Sequence, residues 1–303
     1  MTRQSRGSLL AVLLLAAPAV GAADVAVLKS SDAPAWRPAL DALRRAAPGH
    51  TITEYDFRND RATADNILNQ LKGKNVIVVA MGPLAAQSAR TALPDTRVVY
   101  CMVQEPARLG LTTSVNTTGV TFSIPIKNQL AAFRMVNPRG VRIGVLYNAD
   151  NTGRQVEEAE KAAGVLRLAL VAKPVTSEKD IPQALRAVLS GADAVDAVWI
   201  PADPVLLSEE SRRFILSEAL KANKPVYSFS SALVSEGALV SNGPDFASIG
   251  EQAADLVNRL AAGEKGKIEA LVPRAELVIN RRIAGKLRID IPPDAIKAAN
   301  KVF

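Results

Sequence analysis

The residue types that build most catalytic and metal sites are nearly missing. The 303-residue chain has one cysteine, Cys101, and one histidine, His50. One cysteine forms neither an internal disulfide nor a thiolate-rich metal site. One histidine excludes a His-rich zinc site and leaves His50 as the only histidine available to a triad. Aromatic residues make up 4% of the chain, with two tryptophans. There is no dense Lys/Arg block, and the formal net charge is +7. Arg3 and Arg6 lie in a segment expected to be removed, so the mature excess is milder still. Nucleic acid is therefore not expected as a partner. Past the first two dozen residues no apolar run approaches the ~20 residues of a bilayer span. What remains is a globular composition, 48% hydrophobic and 22% charged. The length suits two domains at roughly 100–200 residues each.

The opening reads as an export signal. Met1 to Arg6 is a positive segment, Leu9 to Ala17 is apolar, and Pro18 breaks it. Val20-Gly21-Ala22 supplies compact residues for cleavage after Ala22 or Ala23, so residues 1–23 are assigned as a signal peptide. The alternative is a permanent N-terminal anchor, for which the uncharged stretch from Gly7 to Ala23 is short against a span of ~20 residues. No cysteine near the cut offers a lipid attachment point. An exported chain with one cysteine must be held by its core and not by cross-links.

After the cut, strands and helices alternate. Val25–Leu28, Thr51–Phe57, Val76–Ala80, Arg97–Val103 and Gly119–Phe122 read as strands. Helical segments over Pro34–Ala47, Ala62–Leu71, Leu84–Ala92 and Ile126–Val136 are interleaved with them. The continuous apolar run at Val76–Ala80 suits a parallel strand covered on both faces. Asn137-Pro138-Arg139-Gly140 ends that set, and the same grammar restarts at Val141–Tyr147. Strands then follow over Leu168–Lys173, Ala197–Ile200, Pro225–Phe229, Ala238–Val240 and Leu277–Asn280, with a long helix over Val205–Ala222 and another over Phe246–Ala261. Two runs of strand–helix alternation predict an α/β protein with two similar lobes built on parallel sheets.

In open parallel sheets ligands bind beyond the carboxyl ends of the strands. The residues there are short and polar: Ser30, Met81-Gly82-Pro83, Gln104-Glu105, Ser123, Asn148, Asp203, Ser228, Ser230 and Asn242. Met81-Gly82-Pro83 at a helix start suits a ligand carboxylate. Asp203 and Glu105 suit a ligand ammonium. Trp36, Tyr147, Tyr227 and Phe229 are candidates for an apolar wall. For each, an ordinary helix cap or ordinary packing is the competing reading. Catalytic patterns are poor. There is no G-x-S-x-G elbow, no phosphate loop and no G-x-G-x-x-G after the first strand. His50 falls at the sheet end opposite the strand C-termini. Cys101 lies within an apolar strand, where a buried, inert thiol is expected. Glu105 and Asp203 stand either as paired carboxylates or as unrelated loop acids.

Several of these segments, in this order, resemble one family. They are Met81-Gly-Pro-Leu-Ala-Ala-Gln87, Val103-Gln-Glu-Pro106, Asn116-Thr-Thr-Gly-Val-Thr121, Arg142-Ile-Gly-Val-Leu-Tyr-Asn148, Ile200-Pro-Ala-Asp203, Glu276-Leu-Val-Ile-Asn280 and Ile289-Asp-Ile-Pro-Pro-Asp294. The chain resembles the substrate-binding proteins of bacterial ABC importers, in the branch with tryptophan- and tyrosine-binding members. Gln104-Glu105 stands where members have Thr-Asp, and Ala202 and Pro204 replace Thr and Asn beside Asp203. The resemblance implies a type I periplasmic binding protein fold: two Rossmann-like lobes joined by a three-crossover hinge. Lobe 1 would hold residues 24–138 and about 244–270, and lobe 2 residues 139–243 and about 271–303. It further implies a monomer in the periplasm without metal or cofactor, closing on a small molecule, an amino acid with the aromatic ones as the leading class, and delivering it to an ABC permease. The alternatives are a sensor of the same fold signalling to a membrane kinase or chemoreceptor, and a secreted α/β enzyme.

Overall fold

The computed structural model describes residues 21–191 and 194–303. The expected export segment lies almost wholly outside the described residues. The first lobe alternates β1 (Asp24–Lys29), α1 (Arg37–Ala46), β2 (Thr51–Asp56), α2 (Arg61–Leu71), β3 (Val76–Met81), α3 (Pro83–Ala92), β4 (Arg97–Val103) and β5 (Thr117–Thr121). These strands form a parallel sheet of order β2-β1-β3-β4-β5. The central strands β3 and β4 are buried almost throughout, as their continuous apolar sequences require. Edge strand β2 is polar and partly exposed.

The pattern then repeats in the second lobe. After α4 (Ile126–Val136) come β6 (Arg142–Tyr147), α5 (Ala149–Val165), β7 (Ala169–Pro174), α6 (Ile181–Leu189), β8 (Ala197–Ile200), α7 (Glu209–Lys221), β9 (Val226–Ser228), α8 (Ser231–Glu236) and β10 (Val240–Pro244). Strand order β7-β6-β8-β9-β10 reproduces that of the first sheet. The chain continues through α9 (Phe246–Ala261), β11 (Ala275–Ile279), α10 (Arg281–Lys286), α11 (Pro293–Ala298) and β12 (Lys301–Val302). β11 pairs antiparallel with β10, and β12 adds the far edge.

Packing shows where the chain changes lobe. α9 buries Ile249, Ala253, Leu256 and Val257 with Val79, Val99 and Cys101 of the first sheet. α4 buries Ile126, Leu130, Phe133 and Val136 with Val145 and Trp199 of the second. The first crossing therefore precedes α4, at 122–125, whereas the Pro-Gly break at 137–140 suggests a later one. That break instead joins α4 to β6 within one lobe, where Phe133 stacks on Tyr227 at 4.9 Å between ring centroids. The second crossing lies between β10 and α9. The third follows Leu271, which bridges to Val120 of β5 before the chain enters β11. The crossings touch one another: Phe122 packs on Phe246 at 5.6 Å, and Asp245 N–H donates to the Arg274 carbonyl at 2.9 Å.

Local differences from the sequence reading have local causes. The helix expected over Val205–Ala222 is split into a 3-10 turn at Pro204–Leu206 and α7, because Ser208 caps the latter by accepting from Ser211 N–H. The helix expected over Pro34–Ala47 likewise opens with a 3-10 turn, Pro34–Trp36. α8, α10 and β12 are too short to show a periodic signal.

α1 and α9 meet at Gly250, where a Cβ would strike the Ala39 carbonyl. Backbone contact of this kind cannot relax by a side-chain rotation. Gly250→Ala is expected to cost about 1–3 kcal/mol of stability. It would be measured as a lowered urea midpoint, and an unchanged midpoint would show that the seam yields without cost.

Candidate functional site

A cleft of about 300 Å³ lies between the lobes, at the small end of the roughly 300–1,000 Å³ typical of ligand sites. The first lobe contributes Gln104, Glu105 and Pro106 from the end of β4 and Phe122 from beyond β5. β4 is irregular here: its pairing with β5 shifts register between Tyr100 and Val103, and Met102 and Glu105 adopt φ of 57° and 45°. A bulge of this type re-aims the residues that follow it. The first crossing contributes Ser123, Ile124 and Pro125, and α4 contributes Gln129. The second lobe adds Ala202, Phe229 and the opening turns of α5.

Those turns are set by a buried carboxylate. Asp203 has no exposed surface. Its Oδ2 accepts from Asn148 N–H and from the Thr152 hydroxyl, both at 2.6 Å. Its Oδ1 accepts from Val205 N–H at 3.0 Å and from the Asn151 amide at 3.3 Å. Protein donors thus occupy both oxygens twice over. Asp203 fastens the β6–α5 turn to the β8 turn, and Asn148 caps α5 through Asp150 and Asn151 N–H. Asn151, Arg154, Gln155 and Glu158 then line the cleft.

The first-lobe candidates form a separate ledge. Ser30 Oγ accepts from Ala85 N–H at 2.9 Å and so caps α3. Gly82, at φ 91°, leaves no room for a Cβ: the Trp36 ring and Ser30 Oγ would lie 2.6 and 2.7 Å away. Half-buried Trp36, buried Met81 and exposed Pro83 complete the ledge. It sits at the C-terminal end of β1 and β3 but does not line the cleft. Tyr147 packs at the margin of the second lobe's core. Ser228 donates to the Ser230 carbonyl at 2.9 Å, and Ser230 Oγ caps α8. Asn242 donates to the Asn128 carbonyl at 3.2 Å, joining β10 to α4. Tyr227 is core, its hydroxyl accepting from Asn137, and burial raises its pKa.

The remaining reactive groups lie apart from one another. His50 accepts from Ala23 N–H through Nδ1 and donates through Nε2 to Asn258, at the N-terminal edge of the first sheet. Cys101 is buried, and desolvation pushes its thiol up to about 12. Glu105 is ion-paired with Arg108 at 3.3 Å, outside the Asp203 network. No cluster of His, Cys, Asp and Glu able to hold a metal occurs among the described residues. A larger hollow, about 790 Å³, is lined by Lys72, Lys74, Asp95 and Arg97. It lies at the strand N-termini, the wrong end of a parallel sheet for a ligand site.

Of the residues expected to touch a ligand or form its apolar wall, Gln104, Glu105, Ser123 and Phe229 come together in the cleft. Gln129, Arg154, Gln155 and Glu158 were not legible from the strand ends because they lie within helices. A signal existed: Asn151, Arg154, Gln155 and Glu158 follow the i, i+3, i+4, i+7 spacing of one helix face.

A family model described as ABC transporter substrate binding protein matches residues 39–303. The tyrosine-binding protein of Clostridioides difficile is 25% identical over 240 residues, covering 76% of this chain and 68% of that protein. Two solved structures share the fold. One is an ABC domain in complex with L-Trp from Streptococcus pneumonia, with TM-score 0.70 and 24% identity, covering 93% of this chain and 99% of that one. The other is a ligand-free, open substrate binding protein from Clostridium difficile, with TM-score 0.82 and 19% identity, covering 92% and 99%.

Asp203→Asn places an amide against donors that need an acceptor. It is expected to destabilise the fold by about 2–4 kcal/mol, since hydrogen bonds to a charged group contribute about 1.5–3 each. Chemical denaturation reads this, and a loss below about 0.5 kcal/mol would mean that the turns hold without the carboxylate. The raised Cys101 thiol predicts negligible alkylation by iodoacetamide at pH 8 in the folded protein and complete alkylation in guanidinium. Mass spectrometry distinguishes the two.

Proposed function

Because the chain belongs to the ABC transporter substrate-binding protein family, we propose that it captures a free amino acid of aromatic type between its lobes and hands it unaltered to an ABC permease. The observation that carries this reading is a crevice shared by both lobes and a crossing, with apolar and charged groups in one lining. Phe122, Phe229, Pro106 and Pro125 offer surface to a hydrophobic side chain. Arg154, which makes no ion pair or hydrogen bond among the described residues, suits a carboxylate bidentately. Glu105 and Glu158 place negative charge where an ammonium would lie. The names of the similar proteins, a tyrosine-binding protein and an L-Trp complex, support the ligand class.

The carrier works as a monomer in the periplasm, with cleavage near Ala22 or Ala23. No helix among the described residues is long and apolar enough to cross a membrane. Closure turns the first-lobe ledge of Trp36, Gly82 and Pro83 toward the ligand, so that contacts to both lobes favour the closed form. No cofactor takes part.

Titration calorimetry of the mature protein with L-tryptophan and L-tyrosine is expected to show saturable one-site binding, with the ligand recovered unchanged. Either ligand in excess raises the melting temperature by mass action. Arg154→Ala is expected to weaken binding about tenfold or more, a loss of about 1.4 kcal/mol. Binding of a sugar and of neither amino acid would overturn the ligand class, and recovery of a converted product would overturn the carrier role.

A further inference from the structure

Two buried polar side chains line the cleft, Thr152 and Gln129. Thr152 is committed, since its hydroxyl donates to Asp203. Gln129 is only half committed. It lies in the first turn of α4, just past the first crossing, with 3% of its surface exposed. Its amide nitrogen donates to the Ile124 carbonyl at 2.9 Å. That bond fixes which end of the amide is which, because the oxygen could not face another carbonyl. The remaining atom, Oε1, is buried and has no hydrogen-bond partner in the protein. A buried acceptor left so costs about 1–3 kcal/mol, and the large majority of buried side-chain polar atoms avoid that state.

We propose that Gln129 Oε1 is the buried acceptor for the ligand's ammonium group, and so sets the preference for amino acids over the corresponding acids. This rests on the reading of the cleft as an amino-acid site. A carbonyl oxygen only accepts, so whatever meets it must present a donor. Glu105 and Glu158 attract the positive end of a zwitterion to this lining, and Arg154 in the same lining attracts its carboxylate. Asp203, the buried acid of the region, is fully occupied by protein donors. The same amide grips Ile124 in the crossing. A ligand held by Oε1 is thereby joined through one rigid group to a segment that must bend when the lobes move.

The test compares L-tryptophan with 3-indolepropionate, and L-tyrosine with 3-(4-hydroxyphenyl)propionate, each pair differing only by the amino group. The readout is the affinity ratio within a pair, which cancels any general damage to the site. In Gln129→Met, which keeps length and loses the acceptor, the ratio is expected to fall about tenfold or more. In Gln129→Glu, whose carboxyl keeps its proton on the oxygen facing the Ile124 carbonyl and leaves the other oxygen as an acceptor, the ratio holds, so a poorly folding methionine variant does not end the test. A ratio unchanged in Gln129→Met, or lowered in Gln129→Glu, overturns the assignment while leaving the amino-acid reading intact. Wild-type protein that binds neither amino acid overturns both.

Discussion

A negative charge taken out of water is tolerable only when it is surrounded by donors, and the second lobe is organised around such a charge. Asp203 draws a backbone N–H from the β6–α5 turn, a hydroxyl and an amide from the first turn of α5, and a further N–H from its own turn. Each donor belongs to a loop or helix start that would otherwise be free to drift. The carboxylate therefore does at this end of the sheet what a metal ion does elsewhere. The positions of Arg154, Gln155 and Glu158 follow from it, because they ride on the helix whose start it fixes.

The crossings impose the second constraint. Three short segments lie side by side, the first and second joined by the Phe122–Phe246 contact and the second and third by the Asp245–Arg274 hydrogen bond. Arg274 is also paired with Glu251 of α9 at 2.5 Å. Segments tied laterally in this way resist sliding of one lobe over the other and leave bending as the softer motion. The cleft opens directly onto the first of them, at Ser123, Ile124 and Pro125. On the proposed reading, any contact made there acts on the hinge as well as on the ligand.

The sheets were legible because parallel strands buried on both faces must be continuous apolar runs, as at Val76–Met81 and Ala197–Ile200. The position of Asp203 was legible too, but not its work. Sequence shows an acid after a strand and says nothing of the donors that fold back on it. Asn137-Pro138 reads as a domain break and so puts α4 with the first lobe, whereas α4 packs in the second lobe's core and the change of lobe falls at Phe122–Pro125, where no composition shift marks it. Gln129 was hidden by the same error. A polar residue in the first turn of a helix is unremarkable until that helix is found to floor a cleft. The short caps and turns, α8 and α10 among them, carry too few residues for a period to emerge.

On the proposed reading, these constraints also bear on how a duplicated fold closes on one molecule. Both lobes have the same strand order, so both present the same kind of edge, yet the edges are not chemically alike. The first offers loops and an aromatic ledge at Trp36 and Gly82, whose α3 start is already capped by Ser30. The second offers a helix face and a buried amide, with Arg154 and Gln129 Oε1 unpartnered among the described residues. A ligand shifts a conformational equilibrium only by the difference between its affinities for the two forms. Groups already satisfied within a lobe contribute little to that difference. On the proposed reading the groups that do contribute are the unsatisfied ones beside the hinge, which is why bridging them with one zwitterion would stabilise closure more than adding contacts at either ledge alone.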